Sequence, residues 1–162
     1  MNIEPGLGIG DIRYGITEEE LISLMGRPDK VEEMEYVQGN GDWHRELWYS
    51  PRSVHFTFDK DDDYRLGTIT IMGSGFTIFG KDLFGLPLDF VRKFIARSTK
   101  EIAKLEDWTW NDEETHECLQ HDGLGILFWF EDWNLAEMQC SYLFESDNQT
   151  VIWPKSHNQS VQ

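Results

Sequence analysis

Apolar residues fall at helical spacing in "TEEELISLM", where Leu21, Leu24 and Met25 share one face. The same spacing returns seventy residues on in "LDFVRKFI", with Val91, Phe94 and Ile95 in the matching places. Thr17 and Glu20 form a T-x-x-E capping box, and Gly26 followed by Pro28 stops the first helix. Pro87 takes the place of the Thr17 cap in the second, where its fixed φ and missing N–H suit a helix start.

Between the helical stretches the period changes from 3.6 to 2. Val54, Phe56 and Phe58 alternate with polar residues, and Ile126, Phe128 and Phe130 repeat that pattern 72 positions later. Each run ends in a polar turn, "DKDDDY" in one case and "EDWN" in the other, which marks a hairpin. "KVEEMEYV", "RELWYS", "TITIM", "DWTWND", "HECLQ" and "QCSYLF" read as further strands, and "STKEIAKLE" as a second helix in the later half.

These patterns predict an α+β fold of two tandem repeats. Each is a helix, or helix pair, on an antiparallel sheet of about four strands, and the two sheets are able to join edge to edge into one curved surface. The expected boundaries are 1–75 for the first repeat, 76–145 for the second and 146–162 for a polar C-terminal extension with a frayed end.

The segment "YGITEEELISLMGRPDKVE" resembles the helix-initiating motif of the small α+β modules found in outer-membrane-assembly lipoproteins. The tandem arrangement is similar to that of β-lactamase inhibitory protein. That resemblance implies joined sheets whose concave surface binds another protein.

Charge narrows the function. The 162 residues carry 30 acidic and 14 basic side chains, a formal net charge of -16. The excess is even, because residues 1–75 and residues 76–162 each hold 15 acidic and 7 basic groups. Nucleic acid and anionic membrane are therefore disfavoured, and a basic protein is the expected partner. The start lacks a basic and apolar leader, and no apolar run reaches the ~18 residues that span a bilayer, so a cytoplasmic protein is expected.

Motifs for chemistry are weak. "GLGIG" lacks the lysine and preceding strand of a phosphate loop and reads as a flexible lead-in. Asp59, Asp61 and Asp63 are spaced like the first ligands of a calcium loop, but Tyr64 stands where glycine is needed, so a solvated tip is expected. His116, Cys118 and His121 make a poor zinc set, and neither Cys118 nor Cys140 has an activating setting. No cofactor, metal or catalytic residue is expected.

The tryptophans carry more. Leu127 and Trp129 occupy the strand positions that alternate with the core residues, so this strand is apolar on both faces and its second face needs a cover. That cover is either the chain itself, through "VIWP" or a homodimer, or a partner protein. The expected partner-binding residues are the carboxylates Asp61, Asp62, Asp63, Asp112, Glu113, Glu114 and Asp132 with the aromatic anchors Trp108, Trp110, Trp129 and Trp133. By type rather than by motif, a small, acidic, Trp-rich chain is similar to bacterial immunity proteins, which neutralise a basic toxin, often a nuclease. A small-ligand or catalytic domain and a self-associating module are the alternatives.

Overall fold

The computed structural model describes residues 1–100, 104–110 and 114–155, with side chains from 1–100 and 117–155. Its body is one antiparallel sheet of eight strands: β4 (Lys30–Glu35), β5 (Trp43–Tyr49), β6 (Val54–Asp59), β7 (Arg65–Ile71), β8 (Lys104–Trp110), β9 (Glu114–His121), β10 (Ile126–Glu131) and β11 (Asn134–Ser141). Their spatial order is β4-β5-β6-β7-β11-β10-β9-β8. Two meanders therefore meet where β11 pairs with β7, Met138 opposite Ile71 and Ser141 opposite Thr68.

Alternation sends one set of side chains to a single core. Leu47, Val54, Phe56, Phe58, Ile69, Ile71, Phe128, Phe130 and Met138 are buried on one face. Two α-helices, α1 (Glu18–Met25) and α2 (Leu88–Thr99), lie over that face, with Leu21 of the first and Leu88, Val91 and Ile95 of the second buried. The capping box forms as its spacing predicts: the Glu20 N–H donates to Thr17 Oγ1 at 3.3 Å, and the Thr17 N–H donates to Glu20 Oε2 at 2.8 Å.

The expected fold is corrected. The chain is mostly β and is not a pair of helix-on-sheet repeats, although the strands of both halves do join edge to edge in one sheet, as the expectation allowed. Pairing β7 with β11 satisfies two rows of backbone groups that separate sheets would leave open as edges. The layer over the sheet is shared, because "GLGIG" is not a flexible lead-in. It supplies part of a three-stranded sheet, β1 (Ile3–Glu4), β2 (Gly8–Ile9) and β3 (Ile12–Arg13), which buries Ile3, Ile9 and Ile12 in the core. Gly8 has φ +141°, and a Cβ there would lie 2.0 Å from the Ile12 carbonyl oxygen, so the close β2–β3 approach requires glycine. Phe76, Ile78 and Leu83 complete the layer. The fold is α+β only in the broad sense that its helices and strands are segregated.

The helix expected over "STKEIAKLE" is also corrected. α2 ends at Thr99 with Lys100 in the left-handed conformation, and Lys104–Trp110 is strand. A short hairpin of β12 (Leu143–Phe144) and β13 (Val151–Ile152) follows the sheet. Of the expected frayed end, residues 156–162 lie outside the described residues. Among the described residues no helix is long and apolar enough to cross a membrane.

Each helix is aimed by a hairpin. The Leu66 N–H donates to the Ile16 carbonyl and the Gly15 N–H to that of Leu66; likewise Leu135 donates to Leu86 and Gly85 to Leu135. The β10–β11 tip is a two-residue turn in which Asp132 (φ +48°) and Trp133 (φ +65°) are both left-handed. That geometry favours Asp-Gly, and a tryptophan in it costs about 1–2 kcal/mol. Trp133→Gly is therefore expected to raise stability by about 0.5–1 kcal/mol after the entropy of the unfolded glycine is deducted, read as an increase in urea midpoint at unchanged m-value.

Candidate interaction face

The face of the sheet opposite the helices is built by the residues that alternate with the core. One register row crosses it from Lys30 through Trp48, His55, Thr70, Gln139 and Leu127 to Gln120. The next row holds Glu32, Glu46, Thr57, Thr68 and Ser141. Trp129 and Glu137 sit opposite one another further along β10 and β11.

His44, His55, Thr57 and Thr70 are buried on this side although neither helix reaches it. Side-chain stacking supplies part of the burial, since Trp48 lies on His55 at 4.1 Å and Tyr36 on His44 at 3.9 Å.

The centre of the face is acidic. Glu46 accepts from Trp48 Nε1 at 3.1 Å and lies 3.5 Å from His44 Nε2 and 3.9 Å from His55 Nδ1. Burial raises the Glu137 carboxyl above its ordinary pKa first, with help from Glu131 and Glu46 and against a hydrogen bond from Gln139. Lys30 is taken by Glu32 at 2.8 Å. Among the described residues no lysine or arginine pairs with Glu46 or Glu137.

The His55 pKa is lowered, chiefly by burial, with Glu46 and Glu32 pulling the other way. A depressed imidazole pKa means that the unfolded chain takes up the proton first. Its contribution to stability is thus lost as pH falls through the unfolded value of about 6.5. His55→Gln is expected to weaken the stability loss between about pH 7.5 and pH 5, measured by urea titration at each pH; an unchanged slope would contradict it. The raised Glu137 carboxyl acts oppositely, stabilising on acidification toward its unfolded value, so the comparison with the variant isolates the histidine.

The residues expected from sequence are dispersed. Asp61 and Asp62 lie in a 3-10 turn at the β6–β7 tip, followed by Asp63 in the left-handed conformation. With Asp42, Asp59, Tyr36, Trp43 and Tyr142, the first two line a cleft of about 250 Å³. Tyr36 Oη donates to Asp59 at 2.6 Å and Tyr142 Oη to Asp62 at 2.9 Å; burial, outweighing that hydrogen bond, raises the Asp62 pKa. Asp132 and Trp133 are exposed at the opposite end of the strands, because β11 runs antiparallel to β7. They do not join the aspartates in one cluster.

Trp129 lies half-buried on the face opposite the helices. Trp108 and Trp110 pair by backbone register with His116 and Glu114 on the edge strand β8, and Asp112 and Glu113 lie outside the described residues. His121 leaves the suggested zinc set, since Nδ1 accepts from the Leu124 N–H at 3.2 Å and Nε2 lies 3.2 Å from Thr99 Oγ1. Cys118 and Cys140 are buried on opposite faces of the sheet and are not bonded to each other, and burial pushes the Cys140 thiol up to about 12. Sequence reasoning missed His44, Glu46, Trp48 and Glu137. The alternation in "WHRELWY" marks the first three as sharing a face, but only strand order puts Glu137 on that same face.

Compared with protein-family models, with curated proteins and with solved structures, the chain gives no match, so its function is argued from this face alone.

Proposed function

We propose that this chain is an acidic, cytoplasmic protein-binding inhibitor, an immunity protein that neutralises a basic toxin by covering its active site with the face of the sheet opposite the helices. The observation that carries the reading is the pair Glu46 and Glu137. Both carboxylates are partly buried on the face opposite the helices and have no lysine or arginine partner among the described residues. Burying a carboxylate that no lysine or arginine neutralises costs free energy, and an incoming cation recovers part of it.

Trp48 and Trp129 add broad aromatic surfaces beside these charges, the combination found at the energetic centre of protein interfaces. The surrounding charge of -16 would speed encounter with a basic surface and repel nucleic acid. For a nuclease partner, the carboxylates would occupy the place of substrate phosphates. No step of chemistry is required of the inhibitor.

The test is capture of a partner from source cells on the immobilised chain, followed by association kinetics on the purified pair. A basic protein is expected, with an association rate that falls at least about tenfold between low and high salt. Recovery of a neutral or acidic partner, or a salt-insensitive rate, would sink the reading.

A further inference from the structure

Two buried imidazoles flank Glu46 on the face opposite the helices. His44 is 3% exposed and His55 8%. Each turns a ring nitrogen to a different oxygen of the one carboxylate: His44 Nε2 lies 3.5 Å from Oε1, and His55 Nδ1 lies 3.9 Å from Oε2. Tyr36 and Trp48 stack on the flat faces of the two rings and hold them in place.

Neither approach is a good hydrogen bond, since N–H···O contacts hold at about 2.7–3.2 Å. His44 Nδ1 and His55 Nδ1 are buried with no hydrogen-bond partner among the described residues. Unpaired buried nitrogens cost free energy, so the arrangement is one whose balance a proton changes. With the rings neutral, Glu46 accepts from Trp48 Nε1 at 3.1 Å and its charge is open to an outside cation. With a ring protonated, an N–H of the cation faces the carboxylate, and a shift of about 1 Å closes an internal ion pair.

The surrounding charges leave Glu46 at the centre. On β4, Glu32 draws His55 toward the charged form, but Lys30 holds it at 2.8 Å while lying over the Trp48 ring at 5.4 Å. The Tyr36 hydroxyl donates to Asp59, the register partner of His44 on β6. Opposite His55 on β7 stands the neutral Thr70. On β11, Glu137 feels the charge of Glu46. Among the described residues, Glu46 is the carboxylate within 4 Å of both rings.

We infer that His44 and His55 form an acid-operated release on this face: proton uptake by the imidazoles ties Glu46 into an ion pair within the chain and expels the cation of a basic partner. The inference rests on the reading of this face as a basic-protein site and adds the condition under which the complex comes apart. A cation beside Glu46 disfavours the imidazolium, so binding releases a proton, and by reciprocity a proton releases the cation. Affinity is therefore full at neutral pH and is lost as pH falls through the free-chain value, which burial places below the ordinary value of about 6.5 for His55. The raised Glu137 carboxyl takes up a proton in the same direction and is removed separately in the test.

The probe is N-acetyl-pentalysine amide, whose charge stays constant because lysine titrates near about 10.4. It is titrated into the 15N-labelled full chain at about pH 7.5 and about pH 5 and followed at the indole N–H of Trp48, which rests on Glu46. The half-saturating concentration is expected to rise roughly tenfold at the lower pH in the unsubstituted chain and in Glu137→Gln, and less than about threefold in the double variant His44→Gln with His55→Gln. The two single variants guard against misfolding of the double one and are expected to fall between. Equal half-saturation at both pH values, a Trp48 signal that pentalysine never moves, or a tenfold rise that persists without the histidines would overturn the inference. If the captured partner depends on Glu46 and Glu137 but binds alike at both pH values, this inference falls and the function stands; release of pentalysine through the histidines, with partner capture indifferent to Glu46 and Glu137, keeps the release and removes the function.

Discussion

Phe56→Ala is expected to destabilise the fold by about 3–5 kcal/mol and to lower the melting temperature by roughly 10 °C or more. Phe56 is fully buried, lies between Leu47 and Ile69 on the neighbouring strands and meets the Tyr49 ring edge-on at 5.7 Å. The lost transfer free energy and the cavity left behind act together. Because the strands form one sheet over one core, unfolding should remain a single transition seen alike by far-UV dichroism and by tryptophan fluorescence. Two separated transitions, or a loss below about 1 kcal/mol, would contradict the shared core.

The second large effect is on binding. Reversing charge in Glu46→Lys combined with Glu137→Lys is expected to weaken the basic partner's affinity by roughly a thousandfold, since each change replaces a desolvated attraction by repulsion worth several kcal/mol. Stability is expected to fall as well, because Glu46 accepts from Trp48 Nε1 beside His44 and His55 and Glu137 accepts from Gln139 Nε2, so the variant is shown to be folded by urea titration before its affinity is read. Glu19→Lys on α1, where the side chain is exposed on the helix side, is the control and should leave affinity within about threefold. Titration calorimetry of the three proteins separates the outcomes; equal losses for the pair and the control would leave only a non-specific charge effect.

The local parts of the fold were legible because local physics decides them. The Thr17–Glu20 capping box, the Gly26 stop and the alternation of Val54, Phe56 and Phe58 need no distant partner. "GLGIG" misled because glycine composition suggests flexibility, while Ile3, Ile9 and Ile12 gain burial only once Phe76 and Ile78 return to pack with them. Ser98 and Thr99 do end a helix, but the apolar positions after them also fit a strand, and pairing of Leu105 with Leu119 decides the matter.

The site was less legible than the fold. Acidic residues are common throughout the chain, so runs such as Asp61 to Asp63 attract notice by adjacency, whereas Glu46 and Glu137 are 91 positions apart and share a face only through strand order. Alternation did single out Trp129 and the far side of its strand. It could not supply the stacking of Tyr36 on His44 and of Trp48 on His55, which depends on which strands are neighbours.

The central claim is that the face of the sheet opposite the helices, and not the helix side, meets the partner. Hydroxyl-radical footprinting of the captured complex against the free chain tests it most directly, read by mass spectrometry at Trp48 and Trp129 on that face and at Leu24 and Phe90 on the helices, which are 53% and 43% exposed. Oxidation of the two tryptophans is expected to fall several-fold on binding while Leu24 and Phe90 stay unchanged; protection of Leu24 and Phe90 with the tryptophans still reactive would contradict the assignment of this face.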